Sequence, residues 1–149
     1  MSVYRDILAA VQNGVDGLAL DGFSKTAIRK RPHIVRTDFD DGSGIVIISP
    51  SAEIVAEEYT ENTENIDYPV HVTFAQAGDG VVDVSATNSL LDAREAVRLK
   101  FHKTTLTGVS SVIDVRVFLS RLFDPFMFGT NIDASQLTLI FKSTEPRSQ

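Results

Sequence analysis

The chain has 149 residues, enough for one well-packed domain and too few for two, and its 43% hydrophobic and 23% charged content is that of an ordinary globular protein. It has no cysteine, which excludes disulfides, cysteine-ligated zinc and thiol chemistry, and no apolar run near the ~20 residues of a membrane helix. The net charge of −6 divides into +3 over residues 1–36, −12 over 37–93 and +3 over 94–149, so the surface has an acidic pole and basic poles, and the acidic total argues against general nucleic-acid binding.

The start, MSVYRDILAAVQ, lacks a basic segment followed by an apolar one, so synthesis in the cytoplasm is expected. Ser2 can cap a first helix in which Val3, Ile7, Leu8, Val11, Val15 and Leu18 recur at helical spacing; Gly14 and Gly17 weaken its last turn and Asp21-Gly22 ends it. Lys25 to Arg31 reads as a short, exposed edge strand closed by Pro32, its cations discouraging unwanted pairing. Asp38 to Gly44 reads as an acidic turn. Counted from Asp38, a calcium loop would need glycine and glutamate where Ser43 and Ser49 stand, so a calcium site is not expected.

Gly44-Ile45-Val46-Ile47-Ile48-Ser49 is too short for a helix and reads as a central strand covered on both faces, stopped by Pro50. Residues 51–67 are ambiguous. Alternation favours an extended ribbon, the Ala and Glu content allows a helix, and Tyr59 to Asn65 looks like a loop. Tyr68 to Gln76 alternates as a strand, with Tyr68, Val70, Val72 and Phe74 on one face and His71 and Thr73 on the other, and Gly78-Asp79-Gly80 is a turn. Asn88 or Ser89 opens a second helix with Leu90, Leu91, Ala93, Val97 and Phe101 as its buried stripe, and Arg94, Arg98 and His102 as a basic line along one edge.

Two more strands are expected. In Val112 to Ser120, Ile113, Val115, Val117 and Leu119 share a face; in Gln136 to Ser143, Leu137, Leu139 and Phe141 do. Between them lies a loop rich in apolar surface, with Phe123, Phe126, Met127 and Phe128. The expected fold is α+β: a mostly antiparallel sheet of about four to six strands packed against two helices, in the order α-β-β-β-α-β-β. Residues 1–143 form the single domain and 144–149 a flexible C-terminal tail.

Nothing in the chain assembles a catalytic, metal or cofactor motif. The histidines His33, His71 and His102 have no metal-pair spacing, and His71 reads as a sheet-surface residue. Gly42-Ser43-Gly44 precedes a strand, unlike a nucleophile elbow, and no phosphate-binding glycine pattern occurs. The glutamates Glu57, Glu58, Glu61 and Glu64 sit in a polar segment as solvated charges rather than a tuned pair. The expectation is no enzyme and no cofactor. Arg29-Lys30-Arg31 lacks interleaved aromatics, and its charge suits the acidic block of a neighbouring subunit better than nucleic acid; a guarded edge strand is the other reading.

The order of pieces resembles one family. An amphipathic helix leads to a strand ending in Arg-Lys-Arg-Pro. Then come Gly-Ile-Val-Ile-Ile-Ser-Pro, an acidic Thr/Asn-rich loop, Tyr-Pro-Val-His-Val-Thr-Phe, a helix with Arg94, Arg98 and Phe101, and Leu-Thr-Leu-Ile-Phe-Lys-Ser-Thr-Glu. This is similar to the tail terminator (tail completion) proteins of long-tailed phages and related prophage tail-like particles. The resemblance implies a virion protein of the tail or neck that forms a homo-oligomeric ring, commonly a hexamer. Such a ring caps the tail tube, ends its polymerisation and meets the head–tail connector, with DNA passing non-specifically through its channel and no membrane involved. A head–tail connector or stopper subunit is the runner-up, and a small enzyme or ligand-binding domain comes third. On that reading Arg29, Lys30 and Arg31, or Arg94 and Arg98, meet Glu57, Glu58 and Glu61 of the next copy. Acids left over line the channel, with Glu64 a candidate for either role, and Phe123, Phe126, Met127 and Phe128 either dock on the tube or the connector or close the core beneath the sheet.

Overall fold

The computed structural model describes residues 2–39, 42–51, 55–58, 63–77, 88–102, 106, 108–121 and 132–146. The first helix, α1 (Val3–Asp16), starts where expected, with Ser2 extended at the N-cap and its hydroxyl accepting from Arg5 N at 3.4 Å. Its buried residues, Ile7, Val11 and Val15, are spaced by four and lie on one stripe. The second helix, α2 (Asn88–Phe101), buries Leu90, Ala93, Val97 and Phe101. The two helices meet where Gly14 faces Phe101, and a Cβ on Gly14 would stand 2.8 Å from the ring, so only glycine admits this approach.

Both helices lie on one face of a six-stranded sheet of order β1-β2-β4-β6-β5, with β3 also paired to β4. The strands are β1 (Phe23–Ile28), β2 (Gly44–Pro50), β3 (Val55–Glu58), β4 (Thr63–Ala77), β5 (Val112–Arg121) and β6 (Ile132–Pro146). Among the described residues only β1 and β2 run parallel and the other pairs are antiparallel, as the expectation of a mostly antiparallel α+β sheet had it. Val46 and Ile48 of β2, Val70, Val72 and Phe74 of β4, and Leu137, Leu139 and Phe141 of β6 form the core beneath the helices. On the opposite face Ile45, Ile47, Ala75 and Ala134 are covered by Ile34 and Phe39, from the crossover that the parallel β1–β2 pair requires. Strand β2 is therefore apolar at consecutive positions because both of its faces are inside.

Several boundaries differ from the sequence reading, among them the starts of β1 and β6, and four differences bear on the candidate surfaces. Strand β1 ends at Ile28 rather than Arg31, because the Arg29 side chain turns to Asp38 and His33 N closes a tight turn onto Arg31 O at 2.7 Å. The ambiguous segment 51–67 holds the ribbon β3, whose ladder to β4 overrides the helical propensity of Ala56, Glu57 and Glu58. Strand β4 begins at Thr63, inside the stretch that reads as a loop. Strand β6 runs to Pro146, so the chain expected to be a flexible tail is paired through Thr144, Glu145 and Pro146 to Asn65, Glu64 and Thr63; residues 147–149 lie outside the described residues.

A fifth difference concerns which way a side chain faces. The β5–β6 register slips between Val112 and Asp114, so Val112 and Val115 are both buried and Ile113, expected to share the face of Val115, is 55% exposed. The extra residue of a bulge accounts for this.

Strands β2 and β3 follow one another along the same side of β4, pairing with residues 70–75 and 64–67 respectively. At the gap between them Pro69 turns its carbonyl outward, where it accepts from Ser51 N at 3.3 Å and from the Tyr4 hydroxyl. A strand residue points its N and its C=O to the same side, so the missing N–H of Pro69 falls where no partner strand needs it. The Tyr4 hydroxyl also accepts from Ser51 N at 2.8 Å, and burial raises its pKa. Helix α1 thus closes the break in the sheet with one phenol. Tyr4→Phe is expected to cost about 1–2 kcal/mol, read as a lower urea midpoint at unchanged slope, because both backbone groups lose their short partner.

The crossover is clasped in a similar way. Asp38 is 4% exposed and takes Arg29 Nη2 at 2.7 Å, Arg29 Nη1 at 2.8 Å and Val35 N at 2.9 Å. The Arg29 guanidinium holds its carboxyl at about 2, below the ordinary 3.8. A depressed acid stabilises the fold above its unfolded pKa, and that contribution is lost as pH falls from about 4 through about 2. Asp38→Asn is expected to lower stability at neutral pH by about 2 kcal/mol and to flatten the acid limb of the stability–pH curve.

Candidate subunit-contact surfaces

The basic surface begins one residue beyond β1. Arg29 N still donates to Ile48 O at 2.9 Å, after which Arg29, Lys30, Arg31, Pro32 and His33 line an open depression of about 600 Å³. Arg29 is engaged with Asp38, and its Nη1 also donates to His33 O at 2.6 Å, so it shapes this wall rather than offering charge. Lys30 and Arg31 are exposed, and neither enters an ion pair among the described residues. Of the three cations expected to act together, one builds the surface and two present it.

The acidic surface lies at the end of the sheet made by β3, β4 and β6. Glu58 stands directly opposite Glu64, and Glu64 directly opposite Glu145, so three glutamates share one row across three neighbouring strands. Like charges placed so oppose the pairing of their own strands. The next row is mild by contrast: Glu57 faces Asn65, and the Thr144 hydroxyl donates to Asn65 Oδ1 at 2.7 Å. Glu145 accepts the Tyr68 hydroxyl at 2.7 Å, and burial together with this bond raises the Tyr68 pKa. Asp67 points to the other face, pairing with Arg116 at 3.1 Å. Glu61 lies outside the described residues.

The expected basic line on α2 does not survive as a line. Arg94 is 7% exposed, and its Nη1 donates to Gln136 O at 3.0 Å and Ser135 Oγ at 3.4 Å, so it anchors α2 to β6; burial lowers its pKa. Arg98 pairs with Glu95 at 2.5 Å on the same helix, an exposed neighbour contact. Only His102 of the three stands exposed without such a role. Helical spacing placed these residues correctly along the helix; it could not show that the sheet end reaches Arg94.

Glu145 and Tyr68 are the members that sequence reasoning missed as a site. The available signal was the alternation Leu137, Leu139, Phe141, Ser143, Glu145, which continues past the point where the apolar residues stop. Elsewhere, His71 is half-buried, bonds Thr138 Oγ1 through Nδ1 at 2.9 Å, and burial lowers its pKa. Edge strand β5 exposes Phe118 at 50% beside Ile113. The loop with Phe123, Phe126, Met127 and Phe128 lies outside the described residues. Among the described residues, no three His, Asp or Glu side chains gather as a metal set, and no helix is long and apolar enough to cross a membrane.

No family model matches the sequence, and no curated protein matches it. The fold does match solved structures. A chain of the virion of a native gene transfer agent particle superposes with a TM-score of 0.55 at 11% identity, over 98% of this chain and 98% of that one. The two share a fold over nearly their whole lengths.

Proposed function

We propose that the protein is a structural virion protein, a tail terminator whose ring caps the tail tube, ends its polymerisation and meets the head–tail connector. The observation that carries this reading is the match in fold to a chain of a virion particle over nearly the full length of both. A match of that extent fits a chain whose whole domain is the functional unit. The charge map supports it: a ring made from one repeated heterologous contact needs two unlike patches on each subunit, and the basic depression and the glutamate row are two such patches. On this reading the ring is a hexamer located in the tail or neck, catalysis has no part, and DNA passes through the channel without sequence-specific contact.

The terminator and the connector or stopper readings differ in what fails when the protein is missing. A terminator limits growth of the tube, so particles made without it are expected to carry tails of excess and variable length in electron micrographs. Tails of normal length lying detached beside filled heads would instead assign the protein to the connector.

A further inference from the structure

We propose that the depression at Lys30 and Arg31 receives the Glu58–Glu64–Glu145 row of the adjacent copy. The contact deepens the ring reading above and rests on it. Three observations carry it. First, the depression is concave and pre-formed: Arg29, fixed to the nearly buried Asp38, holds the 29–33 segment in place, while Lys30 and Arg31 stand exposed with no ion pair among the described residues. Second, the glutamate row is unfavourable in the isolated subunit, since its three positions are directly opposite one another, and cations from outside relieve that repulsion. Glu145 accepts the Tyr68 hydroxyl.

Third, the two patches are placed for head-to-tail assembly. The bond from Arg29 N to Ile48 O sets the basic segment at the end of the sheet where β2 stops at Pro50. The glutamate row lies toward that same end, on β3, β4 and β6. By register Ile28, at the end of β1, is level with Ile48 and so with Val72 of β4, eight residues or roughly 26 Å along the strand from Glu64, so the two patches are separated along the strands more than across them. The two patches are unlike surfaces at different places on one subunit, so a contact between them is heterologous and repeats from copy to copy. The other flank of the sheet is less suited to this occupant, because edge strand β5 presents Ile113, Phe118 and the Asp67-paired Arg116.

Charge reversal tests the contact in the full chain, read as mass in solution across a concentration series. Lys30→Glu/Arg31→Glu and, separately, Glu64→Lys/Glu145→Lys are each expected to weaken assembly tenfold or more. Glu64→Lys alone is expected to raise the thermal midpoint of the monomer while weakening the ring, since it removes repulsion within the subunit. Joining both reversals in one chain, or mixing the two reversed proteins, restores complementary contacts and is expected to restore the oligomer. The unaltered ring is expected to loosen steeply with added sodium chloride, a readout that needs no variant.

Assembly indifferent to salt, or persisting in both reversed proteins, would overturn the contact and leave the ring reading standing. Loss of assembly that neither the combined nor the mixed reversals rescue would overturn the pairing of these two patches. If the unaltered chain stays monomeric even with purified tail tubes, the ring reading falls and the contact with it.

Discussion

The structure depends on one ladder. Strands β4 and β6, each of 15 residues, pair without a slip from Thr63 opposite Pro146 to Ala77 opposite Ile132. The other elements are arranged around it: β2 and β3 share one side of β4, β5 lies on the far side of β6, α2 packs over β4, β6 and β5, and α1 over β1 and β2, with Val70, Val72, Phe74, Leu137, Leu139 and Phe141 in the core on the helix face. A one-residue slip would turn all of these core residues to the other face, so the register is held by the whole apolar set at once. The ladder also outruns the core. Past Tyr68 and Phe141 it continues beyond the helices into polar residues, and the glutamate row sits on that overhang.

Much of this was legible in the residues, and the exceptions share a cause. The α1 cap, the doubly covered β2 and the α2 stripe were read correctly, because periodic apolar residues report burial directly. The overhang was misread as loop and tail, because Thr63, Glu64, Asn65, Thr144 and Glu145 carry no apolar signal and are strand only by virtue of each other. Pairing between two polar segments about 80 residues apart leaves no local trace. The bulge at Ile113 was invisible for a related reason: an alternating pattern gives the face of each residue only while the register holds.

The candidate site was half legible on the same terms. Charge segregation gave the two poles, but a count of charges cannot separate cations that build a surface from cations that present one. Arg29 and Arg94 belong to the first kind, engaged with Asp38 and with the β6 backbone. Lys30 and Arg31 belong to the second. The acidic block divides likewise, into Asp38 and Asp67 paired with cations of their own chain and Glu58 and Glu64 placed opposite one another by strand register.

This division bears on how copies can meet. A sheet with open edges invites association by strand addition, which would extend the ladder from one subunit into the next. Edge strand β1 is partly closed to that route, since Gln12 Nε2 of α1 donates to Thr26 O at 2.9 Å and occupies an outward carbonyl. Strand β5 is interrupted by register slips at both of its ends, which spoils a straight template. At these two edges recognition falls to side chains. Lys30 and Arg31, exposed in the wall of the depression and outside every ion pair among the described residues, are the charges left for such recognition.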